Sequence, residues 1–281
     1  MRHRFAQSAS VRVLVGVIGP LYGPVVQRVQ RLNQMVSVIV ERGSVDVPGL
    51  AEHFGVSLAT ARRDLGVLQE QRLISRSRGG AQPHSDFNDL PLSFKAAQYL
   101  AEKRAIARAA LAQLDGARVI GLTGGTTLVE FARLLLGHRG LTVVTNALNV
   151  ATELLVNPHL RVLVAGGEVR SSSQEAVGPS AEAFLSAYNL DVAFVGVDGV
   201  DARAGCTDYD PVGARVNGVL VDRARHTVVL ADASKVGRVA LAPICPMARV
   251  DVLVTDGRLD EDSADGIRAE GCRVVVAPTG A

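Results

Sequence analysis

The chain is short of the residues that mark several common protein classes. It has only three cysteines, Cys206, Cys245 and Cys272, far apart and without C-x-x-C spacing. Neither a disulfide framework nor a zinc site is suggested, and a reducing cytoplasm is expected. The six histidines are equally scattered, so no metal and no cofactor is expected. No stretch reaches the roughly 18 consecutive apolar residues of a spanning helix, and no membrane partner is expected. The apolar part of residues 11–26, "VRVLVGVIGPLYGPVV", is interrupted by Arg12 and by two Gly-Pro breaks. It follows the basic start "MRHRF" as an export signal would, yet lacks a small-residue cleavage site. Residues 1–27 are therefore read as an extension outside the fold, disordered or a mis-assigned start. Two nucleotide motifs are also missing. No Lys follows the glycines of "GLTGGTT", which rules against a P-loop, and the spacing is not G-x-G-x-x-G, which rules against a dinucleotide fold. The acidic run "DGRLDEDSADG" lacks the spacing and closing Glu of a calcium loop and reads as a solvated loop and helix start.

Lysine is absent from residues 1–84, which hold 11 Arg against 5 acids, a net of +6. Residues 85–281 hold 19 basic and 23 acidic residues, a net of −4. A basic head on an acidic remainder suggests a nucleic-acid-binding unit joined to something else. With 281 residues, 48% of them hydrophobic, the chain can form one small and one medium core.

Three helical patterns fill residues 28–82. "QRVQRLNQMVSVIVERG" places Val29, Leu32, Val36 and Ile39 on one stripe, with Gly43 as a stop. "SVDVPGLAEHFGV" offers Asp46 as N-cap, Pro48 in the first turn, and Leu50, Ala51 and Phe54 as the buried face. "SLATARRDLGVLQEQRL" starts at Ser57 and repeats Leu58, Ala61, Leu65 and Leu68. Its other face carries Ala59, Thr60 and Arg63, with Arg62 at the flank. Helix, Gly turn and a second helix with small, polar and Arg residues near its N-terminus match helix-turn-helix mechanics. Thr60 can reach a phosphate or thymine methyl, and Arg can fork onto guanine or phosphate. "RLISRSRGGA" reads as a β-hairpin wing with Arg76 and Arg78 along the DNA backbone. A small bundle with solvated arginines is the plainer alternative. Asp64 either orients a neighbouring Arg or lies on the helix surface.

Residues 83–98, Pro-containing and aperiodic, read as a linker, and 99–281 as the larger domain. After an Ala-rich helix, apolar strands alternate with helices near 127–137, 147–156, 180–189, 213–225 and 260–270. Continuous apolar strands mean a parallel sheet covered on both faces, a Rossmann-like α/β domain. Polar residues gather at the strand ends: Thr123, Gly124, Gly125, Thr126 and Thr127, then Asn146, Gly166, Gly167 and Arg170, then Asp198 and Lys235. Ligands bind at that rim, and amides at a helix start, hydroxyls and a cation suit a phosphate.

Residues 40–81, with Gly55 to Leu65 matching Gly-Val-Ser-x-x-Thr-x-Arg-Arg-Asp-Leu, resemble the winged helix-turn-helix of DeoR-type bacterial transcription regulators. Ala61 stands where a β-branched residue is usual and Arg78 where His is usual. "LTGGTTLVEFA", "TNALNVATELL", "VAGGEVR", "LDVAFVGVDGV" and "ADASKVGR" resemble that family's C-terminal sensor domain, itself similar to ribose-5-phosphate isomerase. The resemblance covers about residues 28–277. It implies a sugar-phosphate effector, with Thr126, Thr127, Asn146 and Lys235 at matching positions. Departures fall at Thr123, often Asp, Gly213, often Glu, and Asn217, often Lys. Gly213 and Gly218 inside a helix each cost about 1 kcal/mol against Ala. The expected protein is a cytoplasmic repressor of carbohydrate-metabolism genes, a homo-oligomer binding double-stranded operator DNA and released by a phosphorylated sugar. The alternative is a sugar-phosphate isomerase with an appended head, its base drawn from Asp198, Asp201, Asp208 and Asp210. A DNA-binding protein whose sensor has lost its ligand is a third reading.

Overall fold

The computed structural model describes residues 28, 31–32, 34–36, 38–39, 42–70, 73–77, 79–83 and 92–278. The extension 1–27, Val29 and Arg78 lie outside them. The chain forms two compact units, Met1–Phe87 and Asn88–Ala281.

In the first unit every described residue from 28 to 42 is helical, and Leu32, Met35, Val36 and Ile39 are buried on one stripe. Strand β1 (Val45–Asp46) leads directly into helix α1 (Val47–His53), where Asp46 Oδ1 accepts the Gly49 amide at 2.6 Å and Pro48 occupies the first turn. Helix α2 (Leu58–Glu70) starts at Ser57, whose Oγ accepts the Thr60 amide at 3.1 Å. Strands β2 (Ile74–Ser77) and β3 (Gly80–Pro83) pair antiparallel as the expected hairpin, and β1 adds to the far side of β3. Leu58, expected on the buried stripe, is 46% exposed, because the core contact of α2 begins one turn later at Ala61.

Asp64 takes neither expected place. It is only 1% exposed and accepts from Arg31 Nε at 2.8 Å and Arg28 Nε at 3.3 Å. The carboxylate thus ties α2 to the helical residues of the 28–42 stretch and leaves Arg62 and Arg63 unengaged by it.

The second unit opens with α3 (Leu92–Ala97), a helix inside the stretch read as linker, and α4 (Leu100–Ala110). Seven parallel strands follow: β4 (Val119–Leu122), β5 (Thr142–Thr145), β6 (Arg161–Val164), β9 (Leu190–Val195), β12 (Ala224–Leu230), β14 (Val252–Asp256) and β15 (Arg273–Ala277). Their order is β15-β14-β12-β9-β4-β5-β6. The seven apolar runs "RVIGLT", "LTVVT", "LRVLVAG", "DVAFVGV", "HTVVLAD", "VDVLVTD" and "CRVVVAP" fall on these strands in turn. Between them lie α5 (Thr126–Leu135), α6 (Leu148–Leu154), α7 (Pro179–Ser186), α8 (Pro211–Arg223) and α9 (Glu261–Ala269). Separate buried clusters, one around Phe131 and Phe194 and one around Leu220 and Val229, cover the two faces. Both faces are dry, which is why the strands are continuously apolar.

Two small antiparallel pieces carry no periodic signal in the sequence. One is the hairpin β7 (Glu168–Arg170) and β8 (Glu175–Val177), and the other joins β10 (Gly199–Asp201), β11 (Gly205–Asp208) and β13 (Ala242–Cys245). With three or four residues each, they are too short to show alternation. Helix α8 runs unbroken despite its glycines. A Cβ on Gly218 would lie 3.1 Å from the Ile244 carbonyl oxygen, so the missing side chain admits β13 against the helix.

Replacing Asp64 by Ala leaves two arginines facing a buried gap. Urea unfolding of the full chain is expected to show the first unit weakened by about 1–3 kcal/mol; an unchanged midpoint contradicts the assignment.

Candidate functional site

On the first unit, α2 presents Ala59, Arg62 and Arg63 as exposed residues, with Ser57 exposed and Thr60 partly so at its start. The Ser57 and Thr60 hydroxyls lie 2.9 Å apart. From the wing, Arg76 reaches back and its Nη2 donates to the Arg62 carbonyl at 2.9 Å. A helix start lined by small and hydroxylic residues, with three guanidinium groups beside it, has the width and charge for a major groove.

On the second unit, the carboxyl ends of β4, β9 and β12 surround a cavity. Lys95, Gly124, Gly125, Thr127, Leu128, Arg170, Ser173, Glu175, Gly196, Asp198, Asp208, Asn217 and Lys235 are among its walls. Of the residues expected to hold an effector, the structure brings together Gly124, Gly125, Thr127, Arg170 and Lys235. Thr126 opens α5 beside them but is not part of the wall. Gly166 and Gly167 are exposed in the approach to β7, away from the wall.

Thr123 and Asn146 are wholly buried next to the cavity. Thr123 Oγ1 accepts the Gly196 amide at 2.8 Å and so ties the ends of β4 and β9 together. Asn146 Nδ2 reaches Glu175 Oε1 and the Ala176 carbonyl, both at 3.4 Å, while its Oδ1 has no partner among the described residues.

The anion-binding features follow from the local chain. Gly125, at φ 115°, caps α5 without any side chain accepting from the first turn, so the helix start keeps amide donors and positive potential. Lys235 follows β12 in a short turn fixed at two points. Asp256 Oδ2 accepts the Ala233 amide at 2.8 Å and Asp232 Oδ1 the Ser234 amide at 3.1 Å. From that turn Lys235 Nζ donates to the Val197 carbonyl and lies 3.6 Å from Asp198 Oδ1. Lys95 Nζ donates to the same carboxylate oxygen at 3.2 Å. Burial raises the Asp198 pKa, but the charges of Lys235 and Lys95 outweigh it and hold the group below its ordinary value.

Two further carboxyls go the other way. Glu175 is pushed up to about 7, chiefly by burial, against the Gly124 amide that donates to its Oε1 at 2.9 Å. Asp208 is pushed up to about 6 by burial and then by the charge of Asp198. The Glu175 contact also explains Gly124: a Cβ there would lie 2.6 Å from Glu175 Cδ. Asn217, on α8, is buried with its Oδ1 unpartnered among the described residues.

Lys95 and Glu175 were not foreseen from the sequence. Pro91 ahead of "LSFKAAQ" is a helix-start signal that would have placed Lys95 on a helix. Glu175 sits in "SSSQEAV", where nothing in the pattern sets it apart.

The two units therefore define a protein that pairs a winged helix-turn-helix with an α/β domain holding an anion-competent cleft. Residues 31–86 match the DeoR-like helix-turn-helix domain and residues 98–257 the DeoR C terminal sensor domain. The glycerol-3-phosphate regulon repressor of Escherichia coli K12 is 35% identical over 230 residues, 82% of this chain and 91% of its own. The HTH-type transcriptional regulator GlpR of Haloferax volcanii is 34% identical over 247 residues, 88% and 96% of the two chains. The chain belongs to the DeoR family of transcriptional regulators. A solved ribose 5-phosphate isomerase A from Neisseria gonorrhoeae is 18% identical with TM-score 0.36, over 50% of this chain and 54% of its own. That likeness is too slight to carry an argument, and the fold rests on the sheet order.

The raised Glu175 pKa has a consequence for stability. A carboxyl whose folded pKa lies above its unfolded value of about 4.3 stabilises the fold below that pH and loses the contribution as pH rises through about 7. The stability difference between Glu175→Gln and the natural chain is expected to grow in favour of the variant by about 3 kcal/mol between pH 4.5 and 8. Chemical denaturation at those two pH values checks it, and a pH-independent difference would place the Glu175 carboxyl in the ordinary range.

Proposed function

We propose that the protein is a cytoplasmic repressor of carbohydrate-metabolism genes, released from double-stranded operator DNA by a phosphorylated sugar or polyol in the sensor cleft. Among the described residues no helix is long and apolar enough to cross a membrane. The single observation that carries the reading is the meeting of an uncapped α5 start, Thr127 and Lys235 on one cleft wall. Amides and dipole hold the phosphate, the Thr127 hydroxyl adds a donor, and Lys235 supplies the opposite charge.

The rest of the wall suits hydroxyl groups. Asp208, Glu175 and the unpartnered Oδ1 of Asn217 are acceptors without a matching protein donor for every lone pair, and a polyol supplies donors. The printed name of the Escherichia coli relative, a glycerol-3-phosphate regulon repressor, favours the same chemical class. Ser57, Ala59, Thr60, Arg62, Arg63 and Arg76 face the DNA, and two heads of a dimer or tetramer read repeated half-sites.

Enzymatic isomerisation is disfavoured by the engagement of three of its four candidate bases. Asp201 Oδ1 accepts the Arg203 and Ala204 amides and Asp210 Oδ1 caps α8 by accepting the Gly213 amide, while Asp208, with one oxygen accepting the Asp210 amide, is the one candidate that keeps lone pairs toward the cleft. Asp198 is bound by two ammonium groups. A general base needs a lone pair aimed at the substrate.

Opposite phenotypes test the division of labour. Arg63→Ala is expected to weaken operator binding by about tenfold or more while leaving the thermal shift with sugar phosphates unchanged. Lys235→Ala is expected to hold the operator normally and to remain on it when glycerol 3-phosphate, ribose 5-phosphate and related esters are added. A Lys235→Ala protein that lets go as the natural chain does would remove the cleft from the mechanism.

A further inference from the structure

Helix α3 is only six residues long, yet three contacts from distant parts of the second unit fasten it. At its start the Leu92 amide donates to the Ser172 carbonyl at 3.0 Å. Ser172 lies in the turn of the β7–β8 hairpin, which carries Arg170 and Glu175 to the cleft. Midway, Lys95 spans 103 residues of sequence to reach Asp198 at 3.2 Å. Toward its end, the Lys95 carbonyl accepts from Lys103 Nζ, a side chain only 4% exposed. Two of the three fastenings belong to cleft elements, and α3 follows directly on the segment that leads from the DNA-binding unit.

Lys95, Lys103 and Lys235 lie close together, and Asp198 binds two of them directly. The Lys103 ammonium is held down to about 8, first by burial, with Asp232 opposing and the charges of Lys235 and Lys95 adding to the drop. A phosphate dianion that enters beside these ammonium groups can accept charge-assisted hydrogen bonds from more than one of them.

We propose that Lys95 is itself a ligand of the effector's phosphate, exchanging Asp198 for it, and that this exchange moves α3 and reports occupancy to the connecting segment. The inference rests on the anion site proposed above. Lys95 Nζ and Lys235 Nζ already share one carboxylate oxygen, so an anion drawn to Lys235 enters within reach of Lys95. Lys95 stands in the middle of a helix of less than two turns, between the Leu92 and Lys103 contacts, so a backbone shift that follows its side chain to the anion pulls on both. The adjacent chain leads to the head, so the movement has a covalent route out of the domain.

Calorimetric titration of the full chain with inorganic phosphate, joined to hydrogen exchange over residues 92–98, tests the proposal. Lys95→Gln is expected to bind phosphate about tenfold more weakly, and Lys95→Arg, which keeps the charge, to retain most of the affinity. Saturating phosphate should alter exchange in residues 92–98 of the natural chain and leave it unaltered in saturated Lys95→Gln. If Lys95→Gln binds within about twofold of the natural chain while Lys235→Gln loses binding, the cleft stands and the role of Lys95 falls. A Lys95→Arg chain as weak as Lys95→Gln, or identical exchange changes in both saturated proteins, would also overturn it. If the natural chain binds neither phosphate nor any sugar phosphate, the anion site fails and Lys95 with it.

Discussion

Asp198 lies just beyond the end of the central strand β9, and its carboxylate holds ammonium groups from two elements remote in sequence. One is Lys95 on α3, the other Lys235 after β12. Without that negative charge two lysines would face each other over a partly buried cleft, and the strand-end loops would have nothing to converge on. The other carboxyls adjust to it. Asp208 takes up a raised pKa partly because Asp198 is ionised nearby, and Glu175 is driven up by its own burial. A cleft that holds one firmly charged carboxylate and two easily protonated ones can accept an anion with little rearrangement of its walls.

Backbone constraints serve the same end. Gly124 has no Cβ because Glu175 stands where it would be. The amide that a sequence reader would assign to a ligand is thereby given to a protein carboxylate, and the amides of the α5 start beyond Gly125 are the ones left for a guest. Thr123 is likewise spent on joining β4 to β9 through the Gly196 amide. The loop "TGGTT" is thus divided: its first half builds the cleft and its second half borders the space within.

Much of this was legible in the sequence. Seven continuous apolar runs became seven parallel strands because a sheet covered on both faces selects for them at every position. The head followed from helical stripes, the Asp46 and Ser57 caps and the glycine turns. What stayed hidden depends on contacts over long sequence distances. Asp64 looks like a surface residue next to two arginines, but its partners are Arg28 and Arg31 on another helix. Lys95 sits in a stretch whose composition resembles a linker, and only the folded chain shows it meeting Asp198. Glu175 belongs to a hairpin too short for any period, and Gly218 is explained only by the carbonyl of Ile244 opposite.

The central claim is that Asp198 occupies by proxy the place of an incoming anion between Lys95 and Lys235. It is tested most directly by the dissociation constant of inorganic phosphate for Asp198→Asn beside that of the natural chain. The substitution removes the competing charge and keeps the side-chain shape, so phosphate is predicted to bind about tenfold more tightly. Weaker or unchanged binding by a folded Asp198→Asn protein would contradict the account.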